Sequence, residues 1–177
     1  MSASEFSRVV ALDTIGDAPR AMTLEANANE RLALARRFRL VAIETLSAKA
    51  SLSRRAEVVT ATGRLAAAVV QSCVATGAPV PEQIDEPFEI VFRPQPAGAR
   101  PDEEIELDES EMDVVFYEGG AIDLGEAVAE TLALALDPYP RAPDAEATLK
   151  AAGVKSEAEA GPFGALASLR DKLTDKN

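Results

Sequence analysis

The sequence predicts an α+β fold: a mainly antiparallel sheet with a barrel-like tendency to curl, two principal helices packed against it, and a peripheral C-terminal helix. Three patterns lead there. Phe88, Ile90 and Phe92 alternate with Glu89, Val91 and Arg93, and Leu46, Ala48, Ala50 and Leu52 alternate with Thr45, Ser47, Lys49 and Ser51. This is the period-two signature of strands with one face in a core. Residues 57–74 are rich in Val and Thr and too long for a simple helix of that composition, so they read as one long strand. Behind Asn27, and again behind Asp123, the apolar period changes to that of a helix.

In chain order, residues 5–15 carry Val9, Val10, Leu12 and Ile15 and predict a first strand closed by Gly16 and Pro19. Residues 22–25 supply a second, short strand. Asn27 caps a helix in which Ala28, Leu32, Ala35 and Phe38 recur at helical spacing. Arg36, Arg37 and Arg39 fall in its last turn, where a cation meets the negative end of the helix dipole and gains a few tenths of a kcal/mol up to about 1. Residues 43–52 return to a strand, which passes through Ser53, Arg54 and Arg55 into the long central strand as a hairpin. Gly63 predicts a bend or bulge in that strand. The interval TGAPVPEQIDEP holds Gly77, Pro79, Pro81 and Pro87, residues that keep the backbone out of helix and sheet. An antiparallel pair with an irregular connection is expected. Residues 114–117 form a short strand ending at Gly119 and Gly120. Asp123 and Glu126 read as a D-x-x-E capping box ahead of Leu124, Val128, Leu132 and Ala135, and Pro138 and Pro140 stop that helix. One domain over residues 1–141 is expected. Residues 142–177 form a flexible tail whose PFGALASLRDKL, with Phe163, Leu166, Leu169 and Leu173, makes a short amphipathic helix.

The 177 residues include six Phe, two Tyr and no Trp, so Leu, Val, Ile and Ala must fill the core. One cysteine makes no internal disulfide, which fits a reducing cytoplasm. The amino terminus lacks the basic region and long apolar run of a secretory signal, and the longest fully apolar run, residues 65–70, is too short for a bilayer. A cytoplasmic protein with no membrane partner is expected.

Charge is unevenly placed. The net charge of -12 opposes indiscriminate binding to phosphate backbones, DNA included. Between residues 30 and 55, however, seven basic residues (Arg31, Arg36, Arg37, Arg39, Lys49, Arg54, Arg55) face two acidic ones, a local charge of +5. Between residues 82 and 130, sixteen acidic residues face Arg93 and Arg100, a local charge of -14. Eight of the twelve residues at 102–113 are acidic, among them Asp102, Glu103, Glu104, Glu106 and Asp108. Their spacing lacks the glycine and final glutamate of a calcium-binding loop, so a solvated, self-repelling loop is expected rather than a metal site. Cys73 lies in a Val- and Ala-rich strand and the chain has no histidine to activate it, which favours a small buried apolar residue over a nucleophile. With no phosphate loop, nucleophile elbow or metal motif, no enzyme, cofactor or metal is expected.

The order of a central strand ending in QSCV, the ATGAPVP connection, IDEPFEIVF, an acidic loop, IDLGEAVAETLALALDPYPR and PFGALASL resembles the YceD family, the large ribosomal RNA subunit accumulation proteins. The resemblance spans roughly residues 5–173 and is strongest at 63–141. Many relatives carry C-x-R-C where this chain has Cys73, Val74, Ala75 and Thr76, and the segment DPYPRAP holds no cysteine. A lone thiol cannot complete a four-ligand zinc site. The resemblance implies a part in accumulation or maturation of large-subunit ribosomal RNA, with a gene often beside that of a large-subunit ribosomal protein. It supplies no catalytic residues. Two mechanisms follow. Either the basic residues from Arg31 to Arg55 contact a large-subunit ribosomal RNA precursor, or the acidic stretch engages a basic large-subunit ribosomal protein or assembly factor.

Overall fold

The structure, a computed structural model, describes residues 4–96 and 114–154. The chain opens on β1 (Val9–Ala11), a 3-10 turn at Leu12–Thr14, β2 (Arg20–Glu25) and α1 (Ala28–Arg37). Three long strands follow: β3 (Ala42–Arg55), β4 (Val58–Ser72) and β5 (Pro79–Pro94). Then come β6 (Val114–Tyr117), β7 (Ala121–Asp123), α2 (Leu124–Ala135) and α3 (Ala145–Ala151). The main sheet has the order β2-β3-β4-β5-β6, and β1 pairs with β7 in a separate two-stranded ribbon. β2 with β3 and β3 with β4 are antiparallel. β4 and β5 are neighbours joined by a short turn, a connection that only antiparallel strands can use.

The α+β class and the strand periods hold, with several corrections. β6 runs parallel to β5, Val91 opposite Val114 through Pro94 opposite Tyr117, so the sheet is mixed. It does not close into a barrel, because β2 and β6 stand at opposite edges. The expected first strand contracts to Val9–Ala11, since Leu12 turns into the 3-10 segment. Gly63 marks no bulge. It stands opposite Ala50 in unbroken register, and a Cβ there would strike the Lys49 carbonyl, the Phe88 ring and the Ala50 Cα. The register shift lies between Ile43 and Thr45, which explains how Ile43 and Leu46 are both buried despite opposite parity.

The proline-rich interval is strand from Pro79 onward. Ile84, Phe88, Ile90 and Phe92 are all buried and keep one phase, so no bulge intervenes. Gln95 N donates to Tyr117 O on β6, which turns odd-numbered residues of β5 toward that side. Pro79, Pro81 and Pro87 are odd. Their missing N–H groups therefore fall on an edge that β6 covers only from Val91, where no ladder bond to a described strand is lost.

The core is aliphatic around three phenylalanines. Leu24, Leu34, Leu46, Leu52, Val59, Leu65, Ile122, Leu124 and Leu132 pack with Phe6, Phe88 and Phe92. α1 offers Leu34 and Ala35 to it, whereas Leu32, expected in the apolar stripe, is exposed. Asn27 caps α1 as expected, and Glu30 completes a capping box by accepting from Asn27 N. Arg39 lies beyond the helix with φ 57, leaving Arg36 and Arg37 in the last turn. At α2, Asp123 accepts from Gly125 N and Glu126 N, but Glu126 does not reach back to it. The Glu126 carboxylate is taken instead by Arg37 at 2.7 and 3.1 Å and by Ser4. α2 buries Leu124, Ala127, Val128, Ala129 and Leu132.

These ion pairs set an acid limit on stability. The Arg8 guanidinium holds Glu30 below the usual carboxylate range, and Arg37 does the same to Glu126. A carboxylate with a depressed folded pKa stabilises fully above its unfolded pKa and loses that contribution as pH falls through the folded value. Arg8→Met and Arg37→Met are each expected to flatten the decline in unfolding free energy between about pH 5 and 3, read by urea titration across that range.

By compactness the described chain divides into two units: residues up to Gln71 with those of Pro81–Pro138, and Ser72–Val80 with the described residues from Tyr139 on. In the second, Cys73 packs with Ala142 and Ala145. Cys73 is 3% exposed, and its sulfur accepts from Ala142 N at 3.4 Å. Hydrogen bonds from Thr76 and Ala142 hold its thiol down at about 7, against the upward push of burial. α3 also belongs to this unit, while the amphipathic segment expected at 162–173 lies outside the described residues. No described helix is long and apolar enough to cross a membrane.

Candidate functional site

The seven basic residues expected to form one patch are separated by the strand that joins them. Arg36, Arg37 and Arg39 lie at the end of α1, which leads into the start of β3, while Arg54 and Arg55 close β3 at its other end. At about 3.3 Å per residue, a strand of that length sets the two groups roughly 40 Å apart. Lys49 sits between them on the exposed side of the sheet, opposite Thr23 on β2 and Arg64 on β4.

Most of these cations are already engaged. Arg31 donates to Ala26 O at the start of α1. Arg37 forks onto Glu126 and reaches Glu5 at 3.0 Å, with its guanidinium 5.4 Å from the Phe38 ring centre. Arg37 therefore ties α1 to α2 and the amino-terminal segment, and its pKa is pushed further up by Glu126. Arg54 donates to Leu12 O and Ala56 O, fastening the β3–β4 turn to the 3-10 segment. Arg55 pairs with Asp17 in an exposed bridge, an interaction worth about 0–1 kcal/mol. Arg36, Arg39 and Lys49 have no side-chain partner among the described residues.

The arginines that sequence reading passed over help to hold the fold. Arg8 clamps Glu30 with two bonds of 2.7 and 3.0 Å, donates to Glu25 O and lies 4.6 Å from the Phe6 ring centre. Arg64 pairs with Asp85 across β4 and β5, offsetting the repulsion from neighbouring Lys49. Neither role has a local signature, because each partner is distant in sequence.

Two concavities of the first unit are lined wholly by described residues. One, of about 520 Å³, is lined by Asp13, Arg54, Glu57, Tyr117 and the Gly119–Gly120 backbone; the Tyr117 hydroxyl donates to Glu57 O at 2.7 Å within it. The other, of about 440 Å³, runs between β5 at residues 86–90 and Thr131, Leu134 and Ala135 of α2. The second is apolar at its base and acidic at its rim. Phe88, Ile90 and Ala135 line it, Leu134 is 84% exposed beside it, and Glu86 and Glu89 stand exposed along the strand. Asp102, Glu103, Glu104, Glu106 and Asp108, candidates for protein contact, lie outside the described residues. Among the described residues, no three His, Cys, Asp or Glu side chains converge as a metal site.

Searches of curated proteins and of solved structures match nothing. The family described as Large ribosomal RNA subunit accumulation protein YceD matches residues 61–170, from near the start of β4 through α2 and beyond. That span covers more than half of the chain, and the protein belongs to the YceD family, whose description ties it to accumulation of large-subunit ribosomal RNA.

Proposed function

We propose that this chain is a non-enzymatic factor that supports accumulation of large-subunit ribosomal RNA by binding a basic large-subunit ribosomal protein or assembly factor through its acidic surface. The observation that carries the reading is the dispersal of the basic residues: Arg31, Arg37 and Arg54 are spent on internal bonds, and the two ends of β3 hold the rest apart. A phosphate backbone needs several unspent cations along one track. Direct contact with precursor RNA is the second reading, favoured by Arg36 and Arg39, which are exposed and unengaged beside Phe38.

The test sets protein against RNA. The full chain is titrated with a purified basic large-subunit ribosomal protein, with a large-subunit precursor RNA and with an unrelated RNA of equal length, at several salt concentrations. Parallel variants carry Arg36→Ala with Arg39→Ala, or amides in place of Asp102, Glu103, Glu104, Glu106 and Asp108. Protein binding that falls about tenfold with the amides and is unmoved by the arginine changes is expected. Preferential, salt-sensitive binding of the precursor RNA that is lost with Arg36 and Arg39 would replace this reading with the second.

A further inference from the structure

Among the described residues, strand β5 leaves part of one edge without a neighbour. β6 pairs with it only from Val91 to Pro94, and no other described strand lies beyond that edge. The odd-numbered residues face it, so Gln83, Asp85 and Glu89 turn both N–H and C=O outward, while Pro87 offers a carbonyl alone. Directly beside this edge lies the groove between residues 86–90 and α2. Leu134 there is the most exposed of the large hydrophobic side chains described. Glu86, in the phase of Phe88, and Glu130, one helical turn before Leu134, stand on the helix side, whereas Glu89 has the opposite phase and stands on the other face; all three are exposed, and none makes a salt bridge among the described residues.

Three features thus meet at one edge of a chain of net charge -12: backbone groups facing outward, an apolar hollow on the helix side of the strand, and Glu89, without a salt bridge among the described residues, on its other face. An extended segment with alternating basic and apolar side chains meets all three. We propose that the β5 edge and its groove bind a lysine- or arginine-rich segment of the protein partner by strand addition. The segment's backbone pairs with residues 83, 85 and 89, its apolar side chains face the helix side and lie against Leu134 and Phe88, and its basic side chains, on the opposite face of the strand, lie beside Glu89. This rests on the reading that the partner is a basic protein.

The probe is a synthetic peptide of about eight residues alternating lysine and valine, long enough to span the edge. Its glutamate–valine counterpart and a copy N-methylated at alternate residues serve as controls. Each is titrated against the full chain while hydrogen exchange at the Gln83, Asp85 and Glu89 amides is followed. The lysine peptide is expected to bind, to slow exchange at those three amides about tenfold, and to lose about tenfold in affinity with Leu134→Asp or with Glu89→Lys. Both controls are expected to fail. Leu134 and Glu89 are exposed, so unchanged thermal unfolding of the variants confirms that the fold is kept. No binding of the lysine peptide, or binding without protection of those amides, overturns the proposal. A purified basic large-subunit ribosomal protein that binds the parent and Leu134→Asp equally also overturns the groove, yet leaves the partner class standing. If no such protein binds the parent, the partner class itself falls.

Discussion

Gly63→Ala is expected to cost about 3 kcal/mol or more of folding stability, a large effect for one methyl group. The inward-facing position at residue 63 is filled by the Phe88 ring of β5, and the added Cβ would also meet the Lys49 carbonyl and the Ala50 Cα of β3. The ring lines the groove beside α2 and can shift toward it, so the backbone contact at Lys49 O is the costlier one. The carbonyl belongs to a strand held on both sides, by β2 and by β4, so moving it breaks two ladders. Phe88→Leu removes only the ring contact. Combining the two substitutions should therefore be less damaging than their sum by about 1 kcal/mol, with part of the cost remaining from the backbone clash. Urea unfolding of the four species measures both quantities. A Gly63→Ala chain within about 0.5 kcal/mol of the parent would show that neither the Lys49 carbonyl nor the Phe88 ring closes on residue 63.

Asp123→Ala is expected to cost about 3 kcal/mol, more than an ordinary helix cap. Its Oδ1 accepts from Gly125 N at 3.1 Å, Glu126 N at 3.2 Å and Arg8 N at 2.8 Å, and its Oδ2 accepts from Ser7 Oγ at 2.6 Å. One carboxylate thus starts α2 and ties it to the segment that leads into β1. Alanine leaves two helix donors and the Arg8 amide without this acceptor, and it removes a negative charge from the positive end of the helix dipole. An asparagine side chain keeps one oxygen for the amides, so Asp123→Asn should retain more than half of the lost stability. Thermal unfolding resolves the two, because at this chain length 1 kcal/mol moves the midpoint by about 2–4 °C. Equal losses for Ala and Asn would assign the effect to charge alone.

Local patterns carried most of the element reading. The alternation at Leu46–Leu52 and at Phe88–Phe92, together with the side chains of Asn27 and Asp123, marks strands and helix starts through interactions within a few residues. What was not legible depends on neighbours far along the chain. VVFY at 114–117 has the same composition whichever way it runs, so its parallel pairing with β5 leaves no trace in it. Pro79, Pro81 and Pro87 argue against a strand only if their N–H positions face a partner, and that is fixed by where β6 begins. The basic run misled for a similar reason. Arg36 and Arg55 look close in sequence, but an extended strand between them makes them remote, and Glu126, which occupies Arg37, lies in another helix. The acidic rim of the groove was visible only as composition, because nothing in the sequence sets Leu134 beside Glu86 and Glu89.

The prolines of β5 also govern how this chain behaves toward copies of itself. An exposed strand edge is normally a template on which identical molecules stack. Here each copy would bring the same gaps at Pro79, Pro81 and Pro87 and the same carboxylates at Asp85, Glu86 and Glu89, so an edge-to-edge dimer would forfeit ladder bonds and set like charges against one another. Self-pairing along this edge is thereby disfavoured, and concentrating the protein is expected to leave it unaggregated.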